Sequence, residues 1–235
     1  ETTGDGTIRV GTTTGDLRIK DVNAGVGGVL LNAYDGNLED ADSDITAGNV
    51  FLTASGSIGN KDADKFLNTT ANMLSLKASN GIYVNEADGA VIENLISAGS
   101  EIIINNLAGQ ITTARAIDTD GGDITIKSAG GLIIGDSADD DVVTDGGKVY
   151  FSGDSDNNGI GNFTLIADVT IITSGGDMKL EGADIELGGD IDAGNADTFL
   201  NITGGRTLDI GFETGVGDSK LADAELSKIG GSGTI

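Results

Sequence analysis

Residues 123–135 read DITIKSAGGLIIG. Two short apolar runs, the alternating DITIK and the continuous GLIIG, flank a corner of small residues. The alternation puts Ile124 and Ile126 on one face of a strand. Glycine at the corner permits a positive φ without a Cβ clash. What decides the fold is that the pair recurs along the whole chain.

First strands align as TIRV (7–10), DLRIK (16–20), GVLLNA (28–33), NVFLTA (49–54), MLSLKA (73–78), EIIINN (101–106), DITIK, KVYFS (148–152), DMKLE (177–181) and FLNIT (199–203). Second strands follow a small-residue corner: SGSI (55–58), NGIYV (80–84), GQIT (109–112), GLIIG, DIELG (184–188) and TLDIG (207–211). A third segment leads back to the next coil, as in ITAGN (45–49), ISAGS (96–100), VTDGG (143–147), ITSGG (172–176) and IDAGN (191–195). Self-similarity at roughly 20 to 30 residues marks a solenoid, in which each copy buries its apolar edge against its neighbours. Two or three strands per coil predict an all-β parallel β-helix of about ten coils, as one domain over 1–235. The pairs Leu74/Leu76, Ile102/Ile104 and Ile124/Ile126 are expected to point inward and stack vertically. Stretches 60–73 and 136–145 read as insertions between coils, not as linkers. A β-sandwich is the competing architecture, but its hairpins favour proline and tight Asn-Gly turns. The chain has no proline, and Asn-Gly occurs only at Asn80-Gly81 and Asn158-Gly159.

Near the C-terminus, SKLADAELSKI (219–229) spaces Leu221, Ala224, Leu226 and Ile229 as a helix would, with Asp218 or Ser219 as N-cap. One short helix or turn over the last coils is expected there.

Composition narrows the chemistry. The chain has no Cys, His, Trp or Pro, and 39 Gly. It therefore lacks the usual neutral-pH acid/base residue, a thiol nucleophile and a Cys-based zinc site. The net charge of −25 comes mostly from Asp, which favours turns. Such a surface repels nucleic acid and anionic membranes and suits hard cations such as Ca²⁺. No run reaches the ~20 apolar residues of a membrane helix. The chain opens mid-pattern at Glu1, which reads as a mature product or an excised piece.

The candidate metal site is DSDNNGIGN (154–162). Asp154, Asp156 and Asn158 fall at positions one, three and five of an EF-hand-type loop, and Gly159 at six. The twelfth position is Leu165 rather than a bidentate Glu, and the alternative reading is a plain Asn-Gly turn. A second acidic cluster, Asp136, Asp139, Asp140, Asp141 and Asp145, lacks ligand spacing and reads as a solvated loop. Asn68 heads an Asn-x-Thr triplet and is the candidate glycosylation site, being placed in the longest insertion. Asn201 alternates with Leu200 and Ile202 and should point outward. Many β-helices act on polysaccharides, so an enzyme is weighed. Arg115 is the only arginine deep in the array; pairing with a neighbouring acid explains it without catalysis, and aromatic platforms for sugar rings are scarce.

At the tail, GVGDSKLADAELSKIGGSGTI (215–235) resembles a motif of filamentous-haemagglutinin-like bacterial exoproteins. The coils GNVFLTASGSIGN and GGDITIKSAGGLIIGD are similar to the repeats of that family. The resemblance implies a right-handed parallel β-helix serving as adhesin, fibre or surface scaffold, secreted or at the cell surface. The expected function is a non-catalytic structural solenoid. A carbohydrate-active β-helix enzyme and a specific ligand-binding adhesin domain are the alternatives. Expected partners are further copies, head to tail, and surface or matrix glycans, with no nucleic acid and no membrane insertion. Neither end reads as capped, since GDGTIRVG (4–11) and GGSGTI (230–235) both resemble interrupted repeats.

Overall fold

A computed structural model describes residues 6–62, 65–210 and 219–235. The chain is a parallel β-solenoid of about nine coils, close to the expected ten, with one short helix near the C-terminus. Every strand pairing is parallel, so the sandwich is excluded. No helix of the described residues is long and apolar enough to cross a membrane.

Three ladders run up the first coils. In one, Thr7–Thr12, Gly28–Ala33 and the ends of Leu38–Ala54 and Leu67–Ala78 stack as Thr7↔Gly28↔Asn49↔Met73. A second joins residues 17–19 to 38–40 and continues through single bridges from Leu38 to Ile58 and Ile82. A third stacks residues 21–23, 44–46 and 68–70.

Near residue 90 the corners move. The second and third ladders fuse in Ile82–Glu86, which pairs with residues 67–69 and with Ile102–Asn106. The first ladder forks at Ala90–Ser97, where Leu74↔Ile92 is followed by Ser75↔Asn94, a one-residue bulge at Glu93. A bulge bends its strand, and here it makes a new corner. Its front branch continues as Ile111–Thr113, Leu132–Ile134, Phe163–Leu165 and Ile185–Leu187. Its rear branch continues as Ile117–Asp118, Val142–Val143, Thr170–Ile172, Asp190–Asp192 and Ile229–Gly230. The fused ladder, called central below, runs Ile102–Asn106, Ile124–Ser128, Val149–Ser152, Met178–Gly182 and Thr198–Ile202.

The aligned first strands therefore belong to two ladders. Leu74 and Leu76 are fully buried, as expected, but stack between Val50/Leu52 and Ile92/Leu95. Ile102/Ile104 stack on Ile124/Ile126 in the other ladder. The two strands share a pattern because each ladder demands the same alternation, so sequence spacing alone could not separate them. Further up, Leu200 pairs with Leu180 rather than with Met178. In the return segments Val142 and Ile171 face inward, not Val143 and Ile172.

The core is one continuous column of Ile, Leu and Val, with Phe151 and Phe163 stacked inside at 6.2 Å. Its return corners are glycine turns. In TDGG (119–122), TDGG (144–147) and TSGG (173–176) the second and third residues have positive φ. A Cβ on Gly147 would lie 2.3 Å from the Gly122 carbonyl oxygen, and one on Gly176 2.1 Å from that of Gly147. Each coil thus requires glycine because the coil beneath it approaches so closely.

Three local expectations are corrected. Stretch 60–73 is not all insertion, because strand Leu67–Ala78 begins inside it. Within 136–145, Val142–Val143 is a strand of the rear ladder. The tail helix spans only Asp223–Leu226, flanked by strands Ser219–Leu221 and Ile229–Gly230. Its N-cap is Ala222, not Ser219, and Asp218 lies outside the described residues. Ala222 has no side-chain oxygen to cap the first turn, but Glu225 at N3 reaches back and accepts the Ala222 N–H at 2.9 Å. The same carboxylate accepts the edge N–H of Leu187 at 3.1 Å, and Leu221 is buried. The tail thus lies over the last coils, as the expected short helix or turn required, and partly covers that side of the stack.

Candidate functional site

Polar side chains concentrate in four places. At the corner after the central ladder lies a buried column: Thr69, Glu86, Asn106 and Ser128 stand in register in successive coils. Glu86 is fully buried. Its carboxylate accepts Thr69 Oγ1 at 2.5 Å and the Ala71 N–H at 3.1 Å. Burial outweighs these bonds and pushes its pKa up to about 7. Asn106 Nδ2 donates to Ser128 Oγ at 2.8 Å and to the Gly109 carbonyl at 2.9 Å. The Thr69–Glu86 and Asn106–Ser128 bonds tie one coil to the next.

The candidate calcium ligands sit on the same side, in the loop after Val149–Ser152. Asp154 is buried, and both its oxygens accept donors: Asn158 N–H at 3.0 Å, Gly159 N–H at 3.0 Å and Thr203 Oγ1 at 2.5 Å. Asp156 accepts Asn158 Nδ2 at 2.7 Å, and Asn158 Oδ1 accepts the Ile160 N–H at 2.7 Å. Asn157 Oδ1 accepts the Gly204 N–H at 2.7 Å. The loop is thus an acid-centred turn clamped onto a later coil, with its three expected ligands facing protein donors. Among the described residues no three acidic side chains converge as a metal site. In the second cluster, burial would raise the Asp140 pKa. Hydrogen bonds from the Asp136 N–H and from the N–H and hydroxyl of Ser137 outweigh it and hold the carboxyl below its ordinary value.

The outer face of the central ladder is the third place. Asn68 lies there, on a strand and not in a loop, its Oδ1 accepting Asn85 Nδ2 at 3.0 Å. Asn85 Oδ1 in turn accepts Asn105 Nδ2 at 3.2 Å. This amide ladder occupies the Asn68 side chain, so a glycan there would have to stand on a strand face. Further up, Tyr150 lies beneath Lys127 and Lys179, whose ammonium groups are 4.9 and 4.6 Å from its ring centre. Its hydroxyl donates to Glu181 Oε2. Burial, then Glu181, pushes the phenol pKa up. Glu181 Oε1 meets Lys179 Nζ at 2.5 Å and Asn201 Nδ2 at 2.9 Å. Burial would raise the Glu181 pKa, but Lys179, Tyr150 and Asn201 together lower it. Asn201 is exposed, as its alternation predicted.

A groove of about 300 Å³ in the first coils is the fourth, lined by Arg18, Asn37, Glu39, Asp40, Ser57 and Lys65 among others. Asn37 anchors it: its N–H and Nδ2 donate to Asp16 Oδ1 at 2.8 and 3.0 Å, and its Oδ1 accepts the Ser57 N–H at 2.8 Å. Arg115 is exposed and faces Glu93 at 3.9 Å, an acid on the neighbouring coil.

Sequence reasoning missed Glu86 and the Tyr150–Lys179–Glu181 cluster. The signal lay in the outward alternates of KVYFS, DMKLE and FLNIT, once their register is known. No family model matches this chain, and no curated protein or solved structure proves similar to it.

Proposed function

We propose that this chain is a non-catalytic structural segment of a bacterial filamentous protein, secreted or held at the cell surface. The observation that carries the reading is the use of its polar groups. At the corners they bond coil to coil, in the Thr69–Glu86 and Asn106–Ser128 pairs and the Asp154 clamp, while the Thr-Gly turns close each corner on itself. An axially bonded parallel stack is suited to extension and display. The tail motif's resemblance to exoproteins supports the same reading, and the negative surface argues against nucleic acid as a partner. Partners in this reading are further copies or tandem units meeting end to end, because parallel ladders continue by simple translation.

Electron microscopy of native material tests it. Filaments with an axial repeat of roughly 40–45 Å, about nine strand spacings, are expected; short monodisperse rods at high concentration would refute end-to-end assembly. Incubation with acidic polysaccharides, with and without Ca²⁺, should release no new reducing ends. Turnover lost on Arg115→Ala would replace the structural reading with the enzymatic one.

The second reading, a ligand-binding adhesin domain, is favoured by the groove around Asn37. Charges of both signs and amide groups line it, which suits a polar glycan. Glycan-array binding abolished by Asn37→Ala would support it.

A further inference from the structure

On the outer face of the central ladder one carboxylate oxygen holds both an amine and a carboxamide. Lys179 Nζ lies 2.5 Å from Glu181 Oε1, and Asn201 Nδ2 donates to that same oxygen at 2.9 Å. Lys179 and Glu181 share the strand Met178–Gly182, and the register sets Asn201 directly beside Glu181 in the next coil. The other carboxylate oxygen is fixed by the Tyr150 hydroxyl. The Tyr150 ring lies 4.6 Å from the amine. Phe199, Leu200 and Ile235 wall the same shallow pocket as Lys179 and Asn201. Glu181 is itself only 7% exposed.

An amine and an amide carbon held together by rigid strands form an intramolecular pair, for which positioning replaces a bimolecular encounter. A carboxylate in contact with both can carry the proton between them. We propose that Lys179 and Asn201 join in an isopeptide bond across adjacent coils, with Glu181 as the proton carrier. Glu181 takes a proton from the Lys179 ammonium, and the free amine attacks Cγ of Asn201. The Nζ–Cγ bond forms and the Cγ–Nδ2 bond breaks. Glu181 hands that proton to the departing nitrogen, then takes the second proton from the joined nitrogen and passes it on, so the group leaves as ammonium. Nothing is oxidised or reduced, and no co-reactant is needed. The product staples the Met178–Gly182 coil to the Thr198–Ile202 coil, near the end of the ladder, where pairing has fewest neighbours.

Mass spectrometry of the full chain tests this. The denatured protein should be lighter than its calculated mass by one ammonia. A digest with trypsin and Asp-N, which cuts before Asp184, Asp190, Asp192 and Asp197 between the two residues, should contain a branched peptide joining Lys179 to Asn201, uncut after Lys179. Lys179→Arg, Asn201→Ala and Glu181→Gln, each checked for folding by circular dichroism, should give only linear peptides. The branched peptide is decisive because Asn80-Gly81 and Asn158-Gly159 can also lose ammonia, as succinimides. Linear peptides covering Lys179 and Asn201 in the folded wild type after prolonged warm incubation would overturn the bond. A branched peptide persisting in Glu181→Gln would overturn the role given to Glu181.

Discussion

The coils before residue 90 and those after it build the same kind of corner differently. In the coils just before residue 90, the strands Leu38–Ala54 and Leu67–Ala78 run through their return corners, whereas Leu17–Asn23 ends before its own. Leu38–Ala54 takes part in all three ladders without a break, and the buried residues at the return corner are Ala24, Ala47 and Ala71. From Ile102 onward strands are two to five residues long, and the buried return-corner residues are Ala193 and three threonines, Thr119, Thr144 and Thr173. The threonine hydroxyls donate to the carbonyls of Gly122, Gly147 and Gly176 at 2.6, 2.5 and 2.5 Å. Where a strand passes through the corner, its carbonyls are already paired in the ladder and a methyl group suffices. Where a turn breaks the strand, a carbonyl is left facing inward and needs a donor, because an unpaired buried polar group is costly. These three corner threonines therefore all sit at broken strands, whereas alanine serves both kinds of corner, since Ala24 and Ala193 are also followed by turns.

The largest expected effect sets the later core against the first coil. Phe151→Ala should cost about 3–5 kcal/mol in denaturant unfolding, since the ring is fully buried between neighbouring coils. Val10→Ala, at 44% exposure in the first strand, should stay within about 0.5 kcal/mol. Equal losses would mean that the two regions are packed alike.

Next comes the junction between them, at Glu86. Its pKa is raised in the fold to about 7 from 4.5. Between those values the native state holds a proton that the unfolded chain releases, so stability falls as pH rises through this window. Glu86→Gln keeps the acceptor for Thr69 and removes the charge. It should raise stability by on the order of 2 kcal/mol at pH 8 and change little at pH 4. A variant less stable than wild type at pH 8 would show that the ionised carboxylate is needed where the ladders fuse.

A smaller effect tests the corner rule itself. Thr144→Val removes the hydroxyl and keeps the shape, and should cost about 1–2 kcal/mol. Hydrogen exchange should quicken at the Gly147 amide, which bonds the Thr144 carbonyl. Unchanged exchange would break the link between threonine and strand breaks. Smallest of all, Arg115→Ala at the bulge should alter stability by less than about 1 kcal/mol, because its pair with Glu93 is exposed.

Much of the stack was legible in the linear pattern. Alternation in DITIK predicted which residues face inward, and Ile124 and Ile126 are buried; in GLIIG three apolar residues run together, and it is the fold that buries Leu132 and Ile134. Asn201 was read correctly from alternation too. Asn68 was misplaced because NTTAN carries few apolar residues and reads as a loop, whereas its neighbours in the ladder are amides that bond it laterally. Asp154 was assigned from spacing within its own loop, but one of its partners, Thr203, lies on a later coil.

The sequence by itself determined the repeat, the inward face of the alternating strands and the glycine corners, because each follows from neighbours within a few residues. Only the tertiary structure decided which strand stacks on which, where two ladders fuse and one forks, and which oxygen Lys179 and Asn201 share. Those outcomes depend on the axial register between coils some twenty residues apart. Several ladders with the same alternation satisfy the linear pattern equally, and only the packed stack selects among them.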